Sequence, residues 1–374
     1  MDIVLLLVSL AVILVAAELF TNSIEWFGHR LNLAEGAVGS VLAAVATAMP
    51  ETLIPVIAIL GPLIFGGDPE ASHAIGVGAI LGAPFMLSTL AMFVTGVAVI
   101  LYSRSGRRGT GMRVNVRVLG RDVAFFVVAY SIAVGTAFLP AELSWLKWVA
   151  AALLFVIYAV YVRLHFTDAP EPGDPEALNR LHATRLPGMA GPHTLDIDIL
   201  PGEQDSWEVE GDAPPRMRII VSQVVVALAL IIIGAQVFVG AVEHLSTTIG
   251  LDPTILALII APIATELPEK FNSVLWVRNT KDTLAMGNIT GAMVFQSCLP
   301  TVLGLLFTTW TFTAESAISF ASAGVAIVAT LLIFGNMLRT GRLSSWTLLI
   351  GGPLYLVYVY LALFTPLGAG AAGH

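Results

Sequence analysis

The sequence predicts an all-α membrane protein of ten transmembrane helices, arranged as two five-helix repeats of inverted topology. Three observations predict it: an apolar composition, ten long hydrophobic runs and a gapless internal repeat. Of 374 residues, 57% are hydrophobic and 12% charged, and the mean hydropathy is +0.86. Soluble domains carry about 25% charged residues, so this chain has roughly half the charge of a water-facing fold.

Runs of about 20 apolar residues are long enough to cross a bilayer as helices. They fall at about 2–20, 36–60, 74–101, 122–139, 145–163, 218–242, 253–276, 283–309, 316–337 and 344–365. The first is expected to stay as a span, because MDIVLLL lacks the basic stretch that opens a cleaved leader. The single cysteine, Cys298, lies inside a span and reads as a small buried hydrophobe.

Basic residues orient the spans, since cytoplasmic loops collect Lys and Arg. With ten spans, the connections after odd-numbered spans share one side. That side holds sixteen of the eighteen basic residues, from Arg30 and the run Arg104–Arg121 to Arg339 and Arg342. Lys147 lies opposite and Lys270 falls inside a span. The arginine run is therefore expected to fix topology, with both termini outside and residues 165–217 cytoplasmic. This linker carries eleven acids and three arginines, which accounts for the whole net charge of −8. DAPEPGDPE opens it and GDAPPR closes it, compositions that bury no core, so a solvated spacer is expected. The expected organisation is residues 1–164 as the first repeat, 165–217 as the acidic linker and 218–374 as the second repeat.

The repeat itself is explicit. Residues 18–53 align without gaps on 236–271, sharing Phe20/Phe238, Glu25/Glu243, Thr47/Thr265, Pro50/Pro268 and Glu51/Glu269 among others. Further on, GAILGA at 78–83 matches GNITGA at 287–292. Five spans per half turn the second copy upside down, the inverted-repeat plan of many secondary transporters.

Both halves place a glutamate directly after a proline: ATAMPE at 46–51 and ATELPE at 264–269. A helical proline removes the hydrogen bond to the carbonyl four residues back. Pro50 would free the oxygen of Ala46, and Pro268 that of Ala264. Glu51 and Glu269 follow, with Thr47 and Thr265 one turn away on the same face. A charge at the bilayer centre costs about 2.5–3.5 kcal/mol even on the mild scale, so paired acids there point to a bound cation or proton. Carboxylate, carbonyl and hydroxyl oxygens are hard ligands suited to Ca²⁺, Na⁺ or Mg²⁺. The Gly78-x-x-x-Gly82 and Gly287-x-x-x-Gly291 pairs are expected to let helix backbones meet. That packing would bring Asn288 and Gln296 toward the acids.

At these residues the chain resembles the calcium:cation antiporter superfamily, which includes sodium/calcium exchangers and proton-coupled calcium exchangers. Its sodium/calcium branch carries two repeats of G-T-S-L-P-E followed by G-N-x-x-G-S-N, across both five-span halves. The resemblance implies that Glu51 and Glu269 are the paired ion-binding acids and that Thr47 and Thr265 are their threonine neighbours. It implies alternating-access exchange of Ca²⁺ against Na⁺ or H⁺, with no cofactor. Departures are specific. Ala79, Pro84 and Met293 replace amide positions, Ala48 and Glu266 replace the serine, and Leu87 and Gln296 stand where further ligands would be. Glu266 and Lys270 are spaced for a salt bridge along one helix face; Lys270 is alternatively a tethered cation in place of a transported Na⁺. An acid-rich site with few amides also suits proton coupling.

Other classes fit less well. The chain has no basic face for nucleic acid, and no H-E-x-x-H, G-x-S-x-G or Gly-rich phosphate loop. A secondary transporter, not an enzyme, is therefore expected, and an intramembrane enzyme and a cation channel remain the remote alternatives. Its partners would be inorganic cations and the lipid bilayer, with no obligate protein partner, in the plasma (inner) membrane. Glu18 is expected to make polar contact with a neighbouring helix, and Glu25 and Glu243 to sit in solvated positions near span ends.

Overall fold

In a bilayer every backbone N–H and C=O must find a partner inside the protein, and a helix satisfies them within one segment. The computed structural model describes residues 2–31, 49–66, 68–167, 181–185 and 215–365. The helices are α1 (Asp2–Arg30), α2 (Met49–Phe65), α3 (Pro69–Met86), α4 (Met92–Arg104), α5 (Val116–Gly135) and α6 (Leu146–Thr167). They continue as α7 (Met217–Ile249), α8 (Pro253–Arg278), α9 (Asp282–Phe307), α10 (Ala317–Thr340), α11 (Ser345–Leu348) and α12 (Gly351–Phe364). The all-α expectation needs one amendment: β1 (Gly111–Met112) and β2 (Leu343–Ser344) pair antiparallel, Gly111 opposite Ser344.

Among the described residues, eight helical stretches are long and apolar enough to cross a membrane: Asp2–Phe27, Pro69–Arg104, Val116–Phe138, Leu146–Leu164, Met217–Ile249, Asp282–Phe307, Ala317–Thr340 and Ser345–Phe364. Two shorter apolar helices, Glu51–Ile64 and Pro253–Ile263, occupy the second and seventh expected runs. These two expected runs, 36–60 and 253–276, are the ones in which the Pro–Glu motifs fall. The first half of run 36–60 lies outside the described residues. Run 253–276 is cut short as an apolar stretch by Glu266, Glu269 and Lys270. The helix itself is not broken there, because α8 continues from Pro253 to Arg278.

Local chemistry sets the starts of α3 and α8 alike. Asp68 accepts from the Glu70 N–H at 2.9 Å and Asp252 from the Thr254 N–H at 2.7 Å. Each is followed by a proline at the first helical position, where the missing donor costs nothing. Between α3 and α4 the span passes through a π turn, Leu87–Ala91. There the hydroxyls of Ser88 and Thr89 both turn back to the Phe85 carbonyl.

Residues 1–10, 51–162 and 235–374 form one compact unit. Its packing depends on bare backbone at α3. A Cβ on Gly76 would stand 2.6 Å from Ile59 of α2, and one on Gly78 would overlap the Thr254 carbonyl of α8. One on Gly82 would overlap the Leu258 carbonyl and lie 2.8 Å from Pro262 Cγ. Pro262 has no N–H, so it removes the helical donor for the Leu258 oxygen, and the bare Gly82 Cα approaches that oxygen instead. The glycine pair of the first repeat is thus a helix-contact pair, as expected.

The loop after α4 ties two corners of this unit together. Arg108 and Asp282 form a buried bidentate pair, Nη1–Oδ1 at 2.6 Å and Nη2–Oδ2 at 2.8 Å. Arg108 also donates to the Val277 carbonyl, and Asp282 accepts from the Arg113 N–H. The α8–α9 corner it clamps contains Thr280 at φ 59°, a conformation that a β-branched residue adopts only under constraint. Arg108 is therefore a structural clamp, where sequence reasoning saw only a topology signal.

Residues 11–50 and 163–234 form a second unit. Here the expectation of a solvated linker fails over 181–185. Leu181 is buried in a cluster with Trp26 of α1 and Ile220 of α7. The His182 N–H donates to Asn22 Oδ1 at 3.0 Å and the Ala183 N–H to Gln223 Oε1 at 2.7 Å. Glu18 lies 3.5 Å from His182 Nε2, so its partner comes from the linker and not from a neighbouring helix. The cause is local: NRLHATR places one leucine between polar residues, and that leucine finds an apolar slot. Within the linker, TLDIDIL and SWEVE alternate polar and apolar residues as short strands would, and both lie outside the described residues.

Candidate ion-binding site

The polar centre of the first unit is built on α8 and α9, neighbours in sequence. Glu266 on α8 is 1% exposed and Gln296 on α9 is 2% exposed. Gln296 Nε2 donates to Glu266 Oε1 at 3.4 Å. Seven residues further along α8, two helical turns, Ser273 accepts from Asn288 Nδ2 at 3.4 Å and donates to the Ala285 carbonyl. Seven residues on α8 and eight on α9 separate the two contacts, about 11–12 Å at 1.5 Å per residue. Asn288 and Gln296 therefore face α8 at two separate levels.

The remaining predicted ligands divide by what the structure describes. Glu51 lies in the first turn of α2 and is buried at 7% exposure. Pro55, four residues on, removes the helical donor for its carbonyl. Thr265 is buried, with its hydroxyl turned to the Ala261 carbonyl at 3.1 Å. Ala46 and Thr47 lie outside the described residues. Ala264, Glu269 and Lys270 lie on the α8 backbone, but their side chains lie outside the described residues, and with them the expected Glu266–Lys270 pair. Leu87 opens the π turn, fully buried. Cys298 is buried in the core, as expected.

At one register the third span leaves regular helix, and the matched eighth span, helical throughout, carries a proline. Leu87–Ala91 is the π turn; the corresponding residues 296–300 end on Pro300, which deprives the Gln296 carbonyl of its helical donor. The Thr301 hydroxyl supplies a hydrogen to that carbonyl at 2.9 Å. π turns inside helices often mark functional segments.

Besides Asp282, sequence reasoning missed a second buried acid. Asp122 on α5 is 1% exposed, and its Oδ2 accepts from Thr290 Oγ1 of α9 at 2.7 Å. The signal was available: Asp122 follows Arg121 where the helix turns from charged to apolar, and a carboxylate at the edge of a span needs named partners.

A bundle of helices long and apolar enough to cross a membrane, with carboxylates, amides and hydroxyls buried inside it, defines an integral membrane protein. Comparison with known proteins gives the class. The sodium/calcium exchanger protein family matches residues 1–167 and 219–364, leaving out most of the linker. The chain belongs to that family, a family of cation exchangers. It is 24% identical over 364 residues to the putative antiporter CaxA of Alkalimonas amylolytica, covering 95% of this chain and 96% of that one. The fold is similar to the H⁺/Ca²⁺ exchanger CAX at a TM-score of 0.67 and 15% identity, covering 99% of this chain and 84% of that one. It is similar to YfkE at 0.63 and 11% identity, covering 96% and 90%. It is also similar to the sodium-calcium exchanger NCX_Mj at 0.54 and 13% identity, covering 97% and 98%.

Proposed function

We propose that the chain is a secondary-active antiporter that exchanges Ca²⁺ against Na⁺ by alternating access, holding the ions between Pro50–Glu51 and Pro268–Glu269. The observation that carries the reading is the buried carboxylate of Glu51 at the start of α2, in a chain that repeats the same motif in α8. Glu51 and Glu269 are the central ligands. Thr47 and Thr265 add hydroxyls, and Ala46 and Ala264 add carbonyls released by the prolines. Glu266, Asn288 and Gln296 form an outer set on α8 and α9. These are all hard oxygen donors, which suit Ca²⁺ and Na⁺ and disfavour soft metals. No cofactor takes part.

In this reading residues 1–164 and 218–374 are two five-span halves of opposite orientation, in keeping with the gapless repeat. Both termini face outward and the linker faces the cytoplasm of a plasma membrane, which the one-sided distribution of basic residues supports. Inorganic cations and lipid are the partners; nucleic acid and an obligate protein partner have no place in it.

A second reading, Ca²⁺/H⁺ or Na⁺/H⁺ exchange, is favoured by one observation. Glu266 is a buried titratable group where the resembled pattern has a serine, and a carboxylate can trade a proton for a cation. The test common to both is Glu51→Gln and Glu269→Gln in purified, reconstituted protein. Each keeps the side-chain shape and removes the charge. Loss of exchange with an unchanged elution profile in detergent is expected; wild-type exchange by either variant removes the site.

A further inference from the structure

α9 carries Asn288 and Gln296 toward α8, and what fixes its rotation is on its other side. Residues of a helix advance by about 100° each. Thr290 therefore lies about 160° around α9 from Asn288 and about 120° from Gln296. Behind the helix, Thr290 donates to the fully buried Asp122 of α5 at 2.7 Å. Tyr161 of α6 hydrogen-bonds the same carboxylate. Next to Thr290, a Cβ on Gly291 would stand 3.4 Å from the Tyr161 hydroxyl, so this face of α9 lies against α6. Tyr158, one turn earlier on α6, packs edge-on against Phe295, the neighbour of Gln296.

We propose that Asp122 is a positioning residue for the ion site: by holding Thr290 from behind, it sets the rotation of α9 that directs Gln296 to Glu266 and Asn288 to Ser273. The inference rests on the antiport reading for its consequence, but not for its geometry. A carboxylate takes several donors at once, so one side chain can bind α5, α6 and α9 at a single point. Thr290 also reaches its own Met286 carbonyl at 3.1 Å, so without Asp122 its hydroxyl has a competing partner and no reason to hold the helix.

Two measurements test it. In reconstituted protein, Asp122→Leu and Thr290→Val are each expected to raise the apparent KM for Ca²⁺ about tenfold, the effect of one lost buried hydrogen bond. The maximal rate per folded protein should stay near wild type. Asp122→Asn keeps an oxygen for Thr290 and should recover most of the affinity. Wild-type KM in the folded fraction of both Asp122→Leu and Thr290→Val would overturn the proposal, reducing Asp122 to a stability role. Abolished exchange in Asp122→Asn would also overturn it, making Asp122 a carrier of the transported charge. The second measurement needs no transport. In a Cys298→Ala background, Ser273→Cys and Asn288→Cys should cross-link, and adding Asp122→Leu should slow the cross-linking severalfold. An unchanged cross-linking rate removes the positioning claim. Absent exchange in the wild-type protein, together with a cross-link slowed by Asp122→Leu, would instead count against the antiport reading alone.

Discussion

α3 and α9 carry the same glycine motif at matched positions, yet they are held in opposite ways. α3 is held by bare backbone: Gly78 and Gly82 lie against carbonyls of α8 with no room for a methyl group. α9 is held by polar side chains: Asp282 by Arg108 at its start, Thr290 by Asp122 behind, Asn288 and Gln296 by Ser273 and Glu266 in front. Among the described residues nothing lies within 4 Å of a Cβ placed on Gly287. A repeated motif therefore specifies an opportunity for close packing, and the surroundings decide whether it is used. Where backbone contact is used, the helix is located but presents little chemistry. Where side chains do the holding, the helix can also present amides to a site.

The comparison can be broken from the polar side first. Arg108→Ala strips the charge partner from a buried carboxylate, and losses of this kind run to about 3–5 kcal/mol. Thermal unfolding in detergent should show the largest fall of any variant here; an unchanged midpoint would mean that Asp282 does not anchor α9. Gly82→Ala attacks the backbone side. Overpacking typically costs about 1–3 kcal/mol, and the carbonyl of Leu258 is a rigid neighbour, so the same assay should register a clear but smaller loss. Gly287→Ala is the control. With open space beside it, it should be neutral or stabilising by about 0.5–1 kcal/mol from helix propensity. A loss as large as that at Gly82 would show that another element covers this face and that the two helices are held alike after all.

Much of this was legible in the sequence. The ten apolar runs, the repeat and the Pro–Glu motifs follow from composition and spacing. The close approach at Gly78 and Gly82 follows from a small-residue pattern with a direct steric meaning. Burial of Glu51 and Glu266 follows from their place inside apolar runs. The missed contacts share a cause. Arg108 meets Asp282 across 174 residues and Thr290 meets Asp122 across 168. Periodicity tells which face of a helix is polar, but not which distant side chain meets it. The docked linker turn escaped because one leucine in an acidic, proline-rich stretch carries no periodic signal. The strand pair, two residues on each side, is too short to show any alternation.

The central claim is that cation movement in one direction is driven by a counter-ion moving in the other. It is tested most directly by ⁴⁵Ca²⁺ uptake into proteoliposomes under Na⁺ and pH gradients imposed separately. Uptake against its own gradient is expected when one of these counter-ions is loaded inside, collapsing when the gradient is dissipated and absent in Glu51→Gln. Calcium entry that proceeds equally with no counter-ion on the far side, or that survives in Glu51→Gln, would contradict the account.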